Sequence, residues 1–493
     1  MKSNLLLPFF LFSWSIVVCQ KVSAPQPYGL LPSERQLAWQ KTGFYAILHF
    51  TPTTFENKEW GYGDADPSIF NPTSFDANQI LSAVKAAGMK GIILVCKHHD
   101  GFCLWPTKTT GYNISKSPWK GGKGDMVREF RDACDRAGIK FGAYVSPWDR
   151  NNPEYGTKAY VDLYREQLYE IYTLYGGLFM SWHDGSNGGD GYYGGKRETR
   201  LINRATYYPW DSLWSMTRRL QPGACIFSDI GWDVRWVGNE SGFAGETCWA
   251  TFTPKGREVD TLAGIGDTRY WEGVEGHRNG KYWMPAECDV PLRSGWFYHP
   301  GGDSTVKSPA MLFDLYCKSV GRGQCLDLGL CPDTHGLLHE KDVASLEGFG
   351  KLLKSTFADN LAKKGKIRLS NVRGGDSKNY GAENLVDDDP YSYWATDDSV
   401  TTPSLILEMK MPVIFKIITI RENIKLGQRI GQVALDIREN DQWKEIAGAT
   451  SIGALRIIRL TSAQTAAKIR MRVVRSAAPP CISEFGIYGN NTP

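Results

Sequence analysis

Gly177-Leu178-Phe179-Met180-Ser181-Trp182-His183-Asp184-Gly185 reads as an apolar strand that ends in an aromatic, a histidine and an aspartate, with glycine directly after. A short apolar run bounded by turn residues suits a strand buried on both faces, as in a parallel sheet. In a parallel β/α barrel, the C-terminal strand ends deliver their side chains to the open mouth, where reactive groups gather.

The same pattern repeats on both sides of this stretch. Upstream, residues 43–50, 90–97 and 140–147 read as strands, and 77–87, 126–137 and 158–175 carry helical spacing. Downstream, 208–220 reads as helix and 224–229 as strand five. The alternation then loosens, with 245–251 and 282–291 as strands, helix 309–320, a last strand 324–329 and a closing helix near 340–357. About eight βα units imply an α/β fold, a (β/α)8-like TIM barrel over 28–362. A doubly wound sheet would need a glycine-rich turn after the first strand, where Thr51-Pro52-Thr53-Thr54 stands instead.

Beyond Lys363-Lys364-Gly365-Lys366 the period changes to two. Alternating runs at 403–409, 415–421, 432–438, 454–460, 468–474 and 483–488 have no helices between them. They predict a C-terminal antiparallel β-sandwich over 367–493.

The whole chain has 493 residues, a formal charge of +4 and scattered basic residues, which excludes a nucleic-acid footprint. Its 17 tryptophans can stack on sugar rings, but they fill cores equally well. Lys2 precedes an apolar run over 5–19, too short to span a membrane, so 1–24 reads as an export segment. Cleavage near Ser23-Ala24 would yield a periplasmic or secreted protein. Alternatively, Ile16-Val17-Val18-Cys19 resembles a lipoprotein box, which would place a lipid anchor on Cys19 at an outer membrane. The other cysteines lie mostly in apolar strands and helices, as buried free thiols do, and no pair has zinc spacing.

Three strand ends are polar beyond any need of packing: His49, Lys97-His98-His99-Asp100-Gly101-Phe102, and Asp184, with Glu59-Trp60 between the first two. A metal site is one reading. However, His98 and His99 would point opposite ways on an extended chain and make poor joint ligands. The other reading is hydrogen bonding to a polyol. An aspartate beside a tryptophan suits attack on a sugar carbon, with the carboxylate as nucleophile and the indole as apolar wall. The bland alternative is an aspartate capping its own turn. A second carboxyl must come from a later loop; Glu240, Glu246 and Glu287 qualify, and composition does not rank them.

His49, Lys97-His98-His99-Asp100-Gly101-Phe102, Trp182-His183-Asp184 and the segment 328–336 together resemble family 29 glycoside hydrolases, the α-L-fucosidases. The resemblance covers about 28–360. It implies a retaining mechanism with neither metal nor cofactor, and Asp184 as nucleophile. Fucose binding would fall on His49, Glu59, Trp60, His98, His99, Tyr144 and Trp182. The loop Arg235-Trp236-Val237-Gly238-Asn239-Glu240 and the segment 285–298 look like the branch that prefers α-1,3/1,4-linked fucose on Lewis-type glycans. On that resemblance Glu240 is the acid/base, with Glu246 and Glu287 as alternatives, and 185–205 is an insertion after the nucleophile.

Asn384-Leu385-Val386-Asp387-Asp388-Asp389-Pro390-Tyr391-Ser392-Tyr393-Trp394-Ala395-Thr396 resembles the early signature of a discoidin-like, galactose-binding-type domain. Such a domain either binds carbohydrate or props the barrel, with a structural calcium ion as an option at the aspartates. The expected partners are fucosylated glycans. The competing functions are another retaining glycosidase on the same barrel and a non-catalytic carbohydrate-binding protein.

Overall fold

The computed structural model describes residues 22–184, 188–228, 231–257 and 268–489. Residues 1–21 of the leader, Cys19 among them, lie outside them. Eight strands form the barrel: β1 Phe44–Leu48, β2 Gly91–Lys97, β3 Lys140–Val145, β4 Met180–Trp182, β5 Cys225–Ser228, β6 Val234–Trp236, β7 Ala286–Pro291 and β8 Cys325–Leu330. Every neighbouring pair is parallel, and β1 closes on β8. The expected TIM-like barrel is therefore present.

Helices Ala77–Ala86, Met126–Ala137, Lys158–Leu174, Trp210–Leu220, Pro309–Lys318 and Glu340–Thr356 follow β1, β2, β3, β4, β7 and β8. Met126–Ala137 illustrates why their limits are legible. Asp125 caps it by accepting from the Arg128 amide, and Gly138 ends it at φ 69°, where any side chain would be strained. Its buried stripe of Met126, Val127, Phe130, Ala133 and Cys134 has helical spacing and packs against the barrel.

Two sequence expectations fail between β5 and β7. Residues 245–251 form no barrel strand; Thr251–Phe252 instead pairs with Tyr282–Trp283 in a small antiparallel ladder, so that 282–291 splits in two. The sixth barrel strand is Val234–Trp236, three residues long, with no helix between it and β5 among the described residues. Asp233 secures that short connection, accepting from the Ile226 amide at 2.8 Å, from Arg35 at 2.8 Å and from Arg218.

The C-terminal region is an antiparallel seven-stranded sheet. Its two longest strands, Ser404–Glu422 and Arg456–Ser476, each merge two runs expected as separate strands. Register shifts between Glu408 and Val413 and between Phe415 and Ile417 break their pairing. Both halves bury side chains in one core, among them Leu405, Leu407, Ile418, Ile458, Ile469 and Met471. Gln442–Thr450, a largely exposed edge strand, has no clean alternation and went unforeseen.

The sheet packs on the barrel, with Leu455, Ile457 and Tyr488 joining the barrel's apolar cluster. Among the described residues, ten cysteines are buried and free, Cys325 and Cys331 included. Asp387 and Asp389 accept from nearby turn groups and Asp388 pairs with Lys363. Among the described residues, no helix is long and apolar enough to cross a membrane, and no cluster of three His, Cys, Asp or Glu is placed to hold a metal.

Candidate active site

A cleft at the C-terminal mouth of the barrel is lined by His49, Trp60, His98, His99, Tyr144, Trp182, Asp184 and Glu240. Ile47, Asp289, Trp296 and Asp327 complete the wall. Eight sequence-nominated residues thus meet at one place although they are spread over 192 positions of chain from His49 to Glu240.

The Lys97–Phe102 segment explains the two adjacent histidines. β2 ends at Lys97, whose ammonium is buried and donates to Gln167 at 2.8 Å and to the Tyr160 hydroxyl at 3.1 Å, with Asp149 at 3.5 Å. The chain then turns: Gly101 donates back to His98 at φ 86°, and a side chain there would strike Asp149. Asp100 locks the turn by accepting from Thr51 at 2.8 Å and Thr53 at 3.1 Å. Because the backbone is not extended, both imidazoles face the cleft, with ring centroids 4.1 Å apart. The expectation that His98 and His99 point opposite ways is therefore corrected.

Burial is the main reason that all three cleft histidines are neutral. His49 is lowered to about 3 by burial and by His99; His99 is lowered to about 4, burial outweighing the opposing pull of Asp184; His98 lies well below the ordinary imidazole value. His99 Nδ1 lies 2.7 Å from the Ser146 hydroxyl, which itself donates to the Trp148 carbonyl. The proton therefore sits on His99 Nδ1, leaving Nε2 as an acceptor facing the cleft. His49 and His98 each keep an unpartnered buried Nδ1 among the described residues. Neutral imidazoles with spare donors and acceptors suit the hydroxyl groups of a polyol.

Tyr144 on β3 donates to Asp184 Oδ2 at 2.9 Å, and His99 Nε2 lies 3.6 Å from the same oxygen. The Tyr144 ring stacks on Trp182, and Trp182 on Phe227, so the aspartate stands at the rim of an aromatic floor. Trp60 meets His99 edge-on and is half exposed, an apolar wall open to a ligand.

The three candidate glutamates separate cleanly. Glu240, on the loop after β6, lines the cleft and accepts from the Trp296 indole at 3.2 Å. Crowding by the cleft raises its carboxyl above the ordinary value; the charges of Asp184 and Glu59 add to this, while the indole opposes it. Glu246 points to the C-terminal sheet, bound to Arg456 and, at 2.6 Å, to Arg322. Glu287 lies fully buried inside the barrel, accepting from the Tyr45 hydroxyl and, at 2.7 Å, from the Trp182 indole; burial pushes it to about 7. Neither Glu246 nor Glu287 lines the cleft.

Glu59 also differs from its expected place. It accepts from the Trp296 amide, from the Phe297 amide at 3.4 Å and from His299 at 2.9 Å, so it anchors the loop that carries Trp296 rather than lining the cleft. Gly295 is required there, since a side chain would meet the Glu59 carboxylate at 2.4 Å. Glu59→Ala is expected to release this loop and lower kcat/KM on the order of 10- to 100-fold, the value of one or two charge-assisted hydrogen bonds. Steady-state kinetics checks this, and unchanged kinetics would refute it. Trp296, Asp289 and Asp327 escaped the sequence reading, although an aspartate inside the apolar run of β8 is itself a signal.

The geometry agrees with what the chain resembles. Residues 32–356 match the family model described as alpha-L-fucosidase. A relative named Alpha-L-fucosidase 1, from Arabidopsis thaliana, is 39% identical over 99% of this chain and 94% of its own. A glycoside hydrolase 29 family member from an unknown rumen bacterium is 38% identical with a TM-score of 0.83, covering 95% of this chain and 78% of that one. A Ruminococcus gnavus GH29 fucosidase in complex with fucose is 30% identical with a TM-score of 0.85, covering 95% of this chain and 97% of that one. A closed barrel with this cleft, in a chain matched along about two thirds of its length by one family model, makes the chain a member of the α-L-fucosidases, glycoside hydrolase family 29.

Proposed function

We propose that this α-L-fucosidase is a retaining exo-enzyme that removes terminal α-1,3/1,4-linked fucose from Lewis-type glycans. Asp184 is the nucleophile and Glu240 the acid/base. The observation that carries this reading is that Asp184 and Glu240 are the nominated carboxyls that line the cleft, one steadied by Tyr144 and the other raised by its surroundings. The first carboxylate attacks the anomeric carbon while the second protonates the leaving oxygen. The second then activates water to release fucose, the anomeric configuration being restored by two inversions. His49, His98 and His99 bind the hydroxyls, and Trp60 and Trp182 supply apolar surface for a sugar that carries a methyl group in place of a hydroxymethyl.

The linkage preference rests on the resemblance of the loop 235–240 and the segment 285–298 to the branch with that preference. The C-terminal sheet is read as a discoidin-like domain that props the barrel, supported by Thr247–Thr450 and Cys248–Ser451 hydrogen bonds besides the Glu246 ion pairs. Export through the leader belongs to the same reading, and N-terminal sequencing of the mature protein separates cleavage at 23–24 from acylation at Cys19.

The test is release of fucose from a Lewis-type trisaccharide and from 2-linked fucosyllactose, with EDTA present and the product anomer followed by NMR. Cleavage of the trisaccharide alone with α-fucose appearing first is expected. β-Fucose appearing first would overturn retention, and equal cleavage of both glycans would overturn the linkage preference.

A further inference from the structure

Strands β7 and β8 carry three acidic side chains into the barrel: Glu287, Asp289 and Asp327, all buried. Parallel pairing sets Asp289 beside Asp327. Glu287 has its tyrosine and tryptophan donors, and Asp289 accepts from the Trp236 indole at 2.7 Å. Asp327 has no such donor: both its oxygens are enclosed and neither meets a hydrogen-bond partner among the described residues. The buried guanidinium of Arg235 gives no relief, being engaged by the carbonyls of Gly273, Met284 and Trp249. Yet Asp327 lines the same cleft as Asp184 and the three histidines.

An enclosed carboxyl without partners costs stability, and packing does not call for it, since leucine has a similar shape. A cost of this kind persists where binding uses the group. We propose that Asp327 is a sugar-binding residue on the floor of the cleft, its carboxyl exchanging hydrogen bonds with a hydroxyl of the terminal fucose. This rests on the fucosidase reading and adds to it a contact that no strand-end motif marks. Burial, with Glu287 and Asp289 alongside, pushes the Asp327 carboxyl well above the usual carboxylate range, which favours its protonated form. It can then donate through its O–H and accept through its carbonyl oxygen, which complements a hydroxyl.

A residue kept for ligand and one kept for fold respond differently to leucine. Asp327→Leu is expected to raise KM for an aryl fucoside and Ki for free L-fucose on the order of tenfold, one hydrogen bond's worth, while Tm stays level or rises. Asp327→Asn keeps a donor and an acceptor and is expected to hold Ki within about threefold. Of 2-, 3- and 4-deoxyfucose, one should bind the parent enzyme more weakly than fucose and bind the leucine variant equally well. An unchanged Ki in the leucine variant overturns the proposal, as does a lowered Tm with deoxy-sugar discrimination intact. If the leucine variant does not fold, Asp327→Ala read by the deoxy series decides: lost discrimination supports the contact and kept discrimination removes it. A parent protein that neither cleaves fucosides nor binds L-fucose defeats the fucosidase reading itself, whereas an active parent with an indifferent Asp327→Leu defeats this proposal alone.

Discussion

Asp184→Ala is expected to lower fucoside turnover on the order of 10⁵-fold or more, the scale seen when a covalent nucleophile is removed. The loss should appear in kcat, because the missing bond exists only beyond the ground state. The fold should survive: the Asp184 side chain is 25% exposed and contacts Tyr144 and His99 at the rim rather than in the packed core. Tm within a few degrees of the parent is the control. Added azide can enter the space left by the carboxylate and attack from the same face, so β-fucosyl azide is the expected rescue product. An Asp184→Ala enzyme that keeps a tenth of its activity would remove the nucleophile assignment.

Glu240→Gln carries the second largest expected effect and a different signature. Loss of general acid catalysis costs on the order of 10²- to 10⁴-fold for a glycan, whose leaving alcohol needs a proton. An aryl fucoside with an acidic phenol needs little help to leave, so its first step should survive and the slow step should become release of the fucosyl enzyme. Azide then attacks the intermediate from the opposite side and yields α-fucosyl azide.

The pH profile supplies a third check. Crowding in the cleft and the nearby charges of Asp184 and Glu59 raise the Glu240 carboxyl, so its protonated form extends to higher pH than for a free glutamate. The acid must be protonated, so kcat/KM falls as pH rises through that value, and this alkaline limb should vanish in Glu240→Gln. An alkaline limb that persists in the variant would transfer the role elsewhere. Glu246 is poorly placed to inherit it, being bound to Arg322 and Arg456, and Glu287 is walled in beneath Trp182.

Much of the fold was legible because its signals are local. A helix such as Met126–Ala137 announces itself by an aspartate cap, an apolar stripe and a glycine stop, none of which needs the rest of the chain. β1, β2 and β3 were read within a few residues because buried parallel strands are near-continuous apolar runs. β6 was not legible, since three residues make no periodic pattern, and its identity comes from pairing with β5 and β7. The long strands Ser404–Glu422 and Arg456–Ser476 were read in pieces because bulges interrupt their alternation.

The site divides along the same line. The sequence by itself determined that His49, His98, His99, Trp182 and Asp184 stand at strand ends, because an apolar run that stops in polar residues marks a barrel mouth wherever the other strands lie. Only the tertiary structure decided which of three glutamates shares the cleft with Asp184, that Glu59 holds the Trp296 loop, and that Asp327 faces the cleft without a partner. Those facts depend on the register of β7 against β8 and on the path of the loops after β6 and β7. Register and loop path follow from the closing of the whole barrel, in which residues hundreds of positions apart are brought side by side.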